Sequence, residues 1–565
     1  MNLRLLYLSI SLLFLISCEG PNPEAKTADL IIFNGPIYTM DERQPNVEAV
    51  ASKGGEIIYV GDLKGAKGLQ SSFTEMMDLE GKTMVPGLIE SHAHMMGIGY
   101  GKLNLDLTQV ANYEELVTKV AEAAKNTPKG EWILGRGWHQ SKWTPAPEIM
   151  IKGYQSHEAL SAVSPDHPVF LTHASGHAAF ANAKAMEIAG ITKGQKYEGE
   201  DGEIILHPDG RPTGVFSERA ENLVQAHIPE TTPERAKQAL ELALEECLAN
   251  GITSLHDAGA DQATIDLYNS FKEEGKMDVR IWVMLSGGNS ELLDSWYKKG
   301  PVKDDYVSVG GIKLYSDGAL GSRGAWLLEE YTDRKGHFGN PIMPLEQMHE
   351  IATQGLKHDF QVCVHAIGDK ANQEVLNQFE KAIKAHSNPD KDHRFRVEHA
   401  QHLDLEDIPR FAELGVIASM QGIHMSSDRP WAIFRLGKKR ILDGAYVWQK
   451  LLQSGAVVIN GTDAPVEPVN PIASFFASVT RQTLKGTPEG GYEADQKMSR
   501  EQALRSYTLA AAYGAFQENQ KGSIEVGKFA DFTILSQDLM KVHDAKILET
   551  KIMGTIVGGK LKYKP

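Results

Sequence analysis

The chain is poor in cysteine, has no excess of positive charge and contains no apolar run long enough to span a bilayer. Three cysteines in 565 residues, Cys18, Cys247 and Cys363, cannot make a disulfide framework. A formal net charge of −16 argues against nucleic acid or an anionic membrane surface as the main partner. The one sustained apolar run, Leu5 to Ile16, is 12 residues long, well short of the ~20 that a spanning helix needs. Internal repeats and low-complexity tracts are also absent. What remains, 42% hydrophobic and 23% charged, is the composition of an ordinary globular body. Its length alone suggests several domains, but large α/β barrels run this long as one unit.

The amino terminus reads as a targeting segment. Arg4 precedes the apolar run, as in a secretory signal. The run closes on Leu15-Ile16-Ser17-Cys18, which resembles a bacterial lipoprotein lipobox. That resemblance implies a signal peptide over residues 1–17, lipidation of Cys18, a tether over 18–27 and a lipid-anchored protein of the bacterial cell envelope. Cys247 falls in a helical pattern and is expected in the core. Cys363, two residues before His365, is expected as barrel packing, with metal ligation as the alternative.

Short β runs with Gly and Asn turns occupy both ends: Leu30-Ile31-Ile32-Phe33 and Ile57-Ile58-Tyr59-Val60 at one, Phe532-Thr533-Ile534-Leu535 and Ile552 to Val557 at the other. A small composite β-sandwich domain over 28–83 and 520–565 is expected. Between them strands alternate with helices. Eight strands are expected at Met84–His94, Ile252–His256, Arg280–Leu285, Gly311–Asp317, Gln361–Ile367, Phe395–Ala400, Val416–Gln421 and Val457–Asp463. Thr232-Pro233 opens the clearest helix, with Thr232 as N-cap, Pro233 at its first position and Gly251 past its end. Strand–helix alternation repeated eight times predicts an α/β fold, a (β/α)8 TIM-like barrel over 84–519. The stretch from about 106 to 228 is too long for one crossover and is expected as an inserted cap.

The chemistry begins at Pro86-Gly87-Leu88-Ile89-Glu90-Ser91-His92-Ala93-His94. On a strand, His92 and His94 share a face and make half of a metal site. With 20 histidines in the chain, chance alone gives about one His-x-His pair, so the pair needs partners of ligand type. Candidates stand at the ends of later strands: Lys313 in Gly311-Ile312-Lys313-Leu314-Tyr315-Ser316-Asp317-Gly318, His365 in His365-Ala366-Ile367-Gly368-Asp369, His399 in Glu398-His399-Ala400-Gln401, and Asp463 in Gly461-Thr462-Asp463-Ala464-Pro465. Barrel active sites lie at the carboxyl ends of the strands, which would bring these distant residues together.

Taken in this order the motifs resemble those of the amidohydrolase superfamily, in the branch that includes N-substituted formamide deformylase-like proteins (the amidohydrolase 3 family). The resemblance runs from about Ala28 to Lys564. It implies that His92 and His94 bind one divalent ion, that His365 and His399 bind a second, and that Lys313 bridges them as a carbamate. It further implies that Asp463 binds the first ion and acts as catalytic base. Zinc is the ion expected, although these N/O donors would also accept Mn, Fe or Co. The activity implied is hydrolysis of a non-peptide C–N bond, an amide or an N-formyl or N-acyl group, by a metal-activated water. Deaminases of the superfamily usually carry Glu three residues after the strand-five His, where this chain has Gly368. A dipeptidase-like N-acyl amino acid hydrolase, with Arg323 or Arg136 meeting the carboxylate, and a ligand-binding lipoprotein without catalysis are the other readings. The expected partners are a small-molecule amide, a membrane through the lipid on Cys18, and a second copy in a homodimer.

Substrate contacts are expected at four further residues, each with a plainer alternative. His177 either touches substrate or satisfies a buried loop. Trp138 either walls an apolar pocket or packs a core. Arg323 either meets a substrate anion or pairs with Asp317 to fix its loop. His424, after the seventh strand, is a candidate carbonyl contact. His256 and His402 are expected as hydrogen-bonded support.

Overall fold

Strand β1 (Leu88–Ala93) opens a parallel sheet of eight, continued by β2 (Ile252–Ala260), β3 (Arg280–Ser286), β4 (Val307–Tyr315), β5 (Gln361–Ala366), β6 (Arg396–His399), β7 (Ile417–Met420) and β8 (Val458–Asn460). Strand order follows chain order, and every neighbouring pair is parallel. The computed structural model describes residues 27–199 and 202–565; Cys18 and the expected signal segment lie outside the described residues. Almost every strand residue is buried, because helices cover one face and the packed interior fills the other. Helix α1 (Pro233–Ala249) shows how this is specified locally. Thr232 accepts the Arg235 amide at 3.2 Å, Pro233 sits where no N–H is needed, and Leu240, Leu244, Cys247 and Leu248 go into the core.

The ladder stops between β8 and β1, leaving a nearly closed barrel of the TIM type. Side chains and loop backbone close the seam at its carboxyl end. The Asp463 amide donates to the His92 carbonyl, and the His94 amide to the Ala464 carbonyl, each at 2.8 Å. Buried Glu90 of β1 accepts the Thr462 amide and hydroxyl, both at 2.9 Å, and the His92 amide at 3.1 Å. Burial pushes this carboxyl up to about 8. Gly461 makes room for it: a Cβ there would stand 2.2 Å from Glu90 Oε1 and 2.8 Å from the His92 nitrogen.

The expected first strand, Met84–His94, is two strands. Thr83–Pro86 pairs antiparallel with Phe532–Leu535 in a different sheet, and only Leu88–Ala93 joins the barrel. The chain crosses from one sheet to the other at Gly87, where a Cβ would meet Thr253 Oγ1 at 2.2 Å. That other sheet has eight strands drawn from both ends of the chain. The pair Arg280–Asp531, at 2.7 Å and almost fully buried, ties it to β3. A third sheet of six strands lies in the chain between β1 and β2, from Leu105–Asp106 to Pro212–Glu218, around its own apolar clusters. Cys247 and Cys363 are buried and unpaired. Among the described residues no helix is long and apolar enough to cross a membrane.

Gly461→Ala should lower stability by about 1–3 kcal/mol, the cost of overpacking, read as a lower urea midpoint. An unchanged midpoint would show that the Glu90 seam can move.

Candidate metal centre

Polar residues gather where the strands end. His92 lies in β1, and His94 precedes the helix Met95–Leu103. Lys313 is in β4, His365 in β5 and His399 at the end of β6, with Asp463 just beyond β8. His92 Nε2 and His94 Nε2 stand 3.5 and 3.2 Å from Asp463 Oδ1. The ligand atoms of these three lie within 4.8 Å of one another, as do those of His399, His424 and Asp463. Lys313 Nζ is 3.0 Å from His92 Nε2, and the His365 ring is 4.5 Å from that of His399. The six expected ligands therefore share one volume. The second triad, however, is completed by His424 and not by His365, whose Nε2 faces Asp317 Oδ1 at 3.6 Å.

Two of these residues have left-handed backbone, His399 (φ 75°) and Asp463 (φ 58°). Such strain in non-glycine residues persists only where the surroundings enforce it, and it clusters at functional sites. At His399 it breaks strand alternation, so that Glu398 and His399 both serve the same centre.

Hydrogen bonds on the far side of each ring decide which nitrogen faces the site. His92 Nδ1 meets Glu398 Oε2 at 2.5 Å. Glu398 is held in turn by Arg396, with Nε 2.7 Å from Oε1 and Nη2 3.1 Å from Oε2. His399 Nδ1 donates to Gln421 Oε1 at 2.7 Å. Both rings thus turn a bare Nε2 toward the centre, the usual way of orienting metal-binding imidazoles. His424 differs. Its Nδ1 accepts from Gln401 Nε2 at 3.0 Å, so its Nε2 carries the proton and presents a donor.

Burial drives His92 down to about 4, and His365 and His399 well below the ordinary imidazole range, leaving them neutral as ligation requires. Burial works against the Asp463 carboxylate, yet its contact with His94 holds it well below the usual range. Glu398 is likewise kept ionised, against burial, by Arg396 and His92. His365 Nε2 is buried and finds no hydrogen-bond partner among the described residues. Neutral imidazoles, an ionised carboxylate and an orphaned ring nitrogen make a donor set that fits a divalent cation. Cys363 takes no part: it is packed in the barrel with Trp282 and Met284, and burial pushes its thiol up.

Above the centre opens a cavity of about 1090 Å³, its mouth included. His365, His399 and Asp463 line it from the barrel, and His173, Ser175 and His177 from the six-stranded sheet. One face of helix α2 (Gly422–Gly444) adds His424, Asp428, Trp431 and Arg435. His177 is held by Glu218 Oε2 at 2.9 Å, which lifts its pKa against the opposing effect of burial.

Two expected substrate contacts need correcting. Trp138 is fully buried in the core of the six-stranded sheet, and its indole N–H donates to the Leu171 carbonyl at 2.8 Å; it packs a core and walls no cavity. Arg323 pairs with Asp333 at 2.9 Å, outside this cavity. It does not pair with Asp317, whose carboxylate takes the amides of Ile367, Gly368 and Trp326 at 3.0, 2.8 and 2.8 Å. Arg136 gives its Nη2 to the Ala174 carbonyl at 3.0 Å. His256 meets Arg396 Nη1 at 3.2 Å, whereas neither ring nitrogen of His402 has a partner among the described residues. Sequence reading missed Glu398, Gln421, Asp428, Trp431 and Arg435. Only the helical spacing of 424, 428, 431 and 435 could have signalled the last three.

A model of the amidohydrolase family matches residues 75–563. The chain is 34% identical over 552 residues to Protein LONG AFTER FAR-RED 3 of Arabidopsis thaliana, covering 96% of this chain and 92% of that one. It is 28% identical over 554 residues to the N-substituted formamide deformylase of Arthrobacter pascens, covering 95% and 98%. Among solved structures, an uncharacterized metal-dependent hydrolase from Pyrococcus horikoshii matches with a TM-score of 0.74 at 27% identity, over 91% of this chain and 99% of that one.

Glu398→Gln should weaken metal binding about 10–100-fold, measured by competition with a chromogenic chelator. Unchanged affinity would mean that His92 needs no anionic anchor.

Proposed function

The chain belongs to the amidohydrolase family, and from that premise we propose that it is a metal-dependent hydrolase of a non-peptide C–N bond, in an amide or an N-formyl or N-acyl amine. The observation that carries this reading is the convergence of His92 Nε2, His94 Nε2 and Asp463 Oδ1 beneath a cavity whose wall presents a donor, His424 Nε2. His92, His94 and Asp463 would hold one divalent ion. His365 and His399 would hold a second, with a carboxylated Lys313 between them. Burial pulls the Lys313 ammonium down, toward the neutral amine that takes up CO2. Such ions supply positive charge that acidifies water and polarises a carbonyl.

The chain's own groups do the rest. Asp463, kept ionised, takes the proton of the attacking water at a carboxylate oxygen and delivers it to the leaving nitrogen. His424 Nε2 donates to the substrate carbonyl oxygen as negative charge grows there, its ring fixed by Gln401. His177, with its ring anchored on Glu218, contacts the substrate from above. The relative named N-substituted formamide deformylase favours a small N-acyl amine. A ring deaminase fits poorly: a Cβ at Gly368 would stand 2.0 Å from the Trp326 carbonyl, leaving no room for a proton-donating side chain.

Metal-replete protein should hydrolyse members of a panel of N-formyl and N-acyl amines. Chelation should abolish turnover, and zinc or manganese should restore it. Asp463→Asn should lower kcat by at least about 100-fold; full turnover in that variant would remove the proton role given to Asp463.

A further inference from the structure

Helix α2 runs along the cavity as a graded wall. His424, Asp428, Trp431 and Arg435 face the cavity together, spaced to share one side of a helix. At 1.5 Å per residue, Trp431 lies about 10 Å and Arg435 about 16 Å along the axis from His424. Leu320, Ile367 and Val466 contribute apolar surface to the same cavity.

The outer end is rich in donors without acceptors. Trp431 Nε1 and Arg435 Nε are both buried, and neither has a hydrogen-bond partner among the described residues. Both groups can only donate. They are neighbours, with the guanidinium 5.9 Å from the indole ring centre. The other nitrogens of Arg435 are engaged: Nη1 pairs with Asp333, and Nη2 donates to the Gly321 carbonyl at 3.3 Å. Asp333 also serves Arg323, at 2.9 Å. Two guanidiniums therefore share one carboxylate, and one positive charge is left over. Nearer the metal centre the sign reverses, with Asp428 and Glu467 on the wall and Asp428 hydrogen-bonded by the Tyr446 hydroxyl at 3.3 Å.

Resting on the amide-hydrolase reading, we propose that Trp431 Nε1 and Arg435 Nε form a carboxylate-binding subsite, and that the substrate class is an N-acylated amine bearing a terminal carboxylate beyond an apolar spacer. Two donor-only groups beside an uncompensated cation call for an oxyanion rather than a neutral carbonyl. The carboxylate anchors the far end of the substrate, the spacer crosses the apolar stretch, and the scissile amide reaches His424 and Asp463. α2 then acts as a ruler that selects spacer length. This places substrate recognition on Arg435 and removes it from Arg323.

The test is a series of N-acetyl ω-amino acids of increasing spacer length, each paired with its methyl ester. The acid should exceed the ester in kcat/KM by at least about tenfold, the worth of a hydrogen bond to a charged group, with one spacer length favoured. Trp431→Phe keeps an aromatic side chain and deletes the indole N–H donor. It should bring the acid-to-ester ratio of kcat/KM to about one, whatever its effect on the turnover of either substrate. Arg435→Gln should do the same. Because Arg435 also holds Asp333, Trp431→Phe carries the decision if Arg435→Gln fails to fold. Equal kcat/KM for acid and ester in the parent protein, or a preference that survives Trp431→Phe, overturns the subsite. If no member is hydrolysed, the amide-hydrolase reading fails for this class. The subsite is then read directly by calorimetric binding of the same acids and esters to the parent protein and to Trp431→Phe. Tighter binding of the acid that Trp431→Phe removes sustains it, and equal binding overturns it.

Discussion

Glu398 is a fully buried carboxylate at the centre of the barrel, and the geometry above it depends on how its charge is balanced. It touches Arg396 on its own strand and His92 across the interior on β1. Arg396 also reaches the Ser91 carbonyl at 2.7 Å and Ser419 Oγ at 3.0 Å. One guanidinium and one carboxylate therefore link β1, β6 and β7 through the middle of the fold. Burying such a pair adds little net stability, but breaking it leaves an uncompensated charge and costs about 3–5 kcal/mol. The effect is to specify position. His92 has one orientation available, with Nδ1 committed to Glu398 and Nε2 turned up to the site.

The seam between β8 and β1 transmits that position to Asp463. Asp463 has no strand to hold it. It is placed by its amide, which donates a hydrogen bond to the His92 carbonyl, and by the Glu90 carboxylate that gathers Thr462 and His92. Left-handed backbone at Asp463 and at His399 is the local cost of turning both side chains inward. Two of the expected ligands thus stand at left-handed, non-glycine positions, as happens where surrounding contacts over-determine the backbone.

The apolar runs, their Gly and Pro boundaries and the repeated strand–helix alternation made the eight barrel strands readable in advance, because each is a local consequence of side-chain period. His92, His94, Lys313, His365, His399 and Asp463 were readable for a related reason: polar groups at the ends of apolar strands have little cause to be there unless they meet. The errors share a cause too. Trp138 and Arg323 were singled out by chemical type, but whether an indole walls a cavity or fills a core depends on which sheet covers it. Whether an arginine is free depends on where Asp333 lies.

His424 marks the boundary between the two kinds of information. Its place after the seventh strand suggested a substrate contact, and proximity to His399 and Asp463 would equally allow a metal ligand. The hydrogen bond from Gln401 makes it a donor. The sequence by itself determined the barrel, the order of its strands and the six residues carried at their ends, because these follow from local periodicity and residue chemistry. Only the tertiary structure decided which ring nitrogen faces the centre, that Glu398 and Gln421 hold those rings, and that α2 supplies the cavity wall. Those outcomes rest on contacts between residues tens to hundreds of positions apart, and no local pattern encodes them.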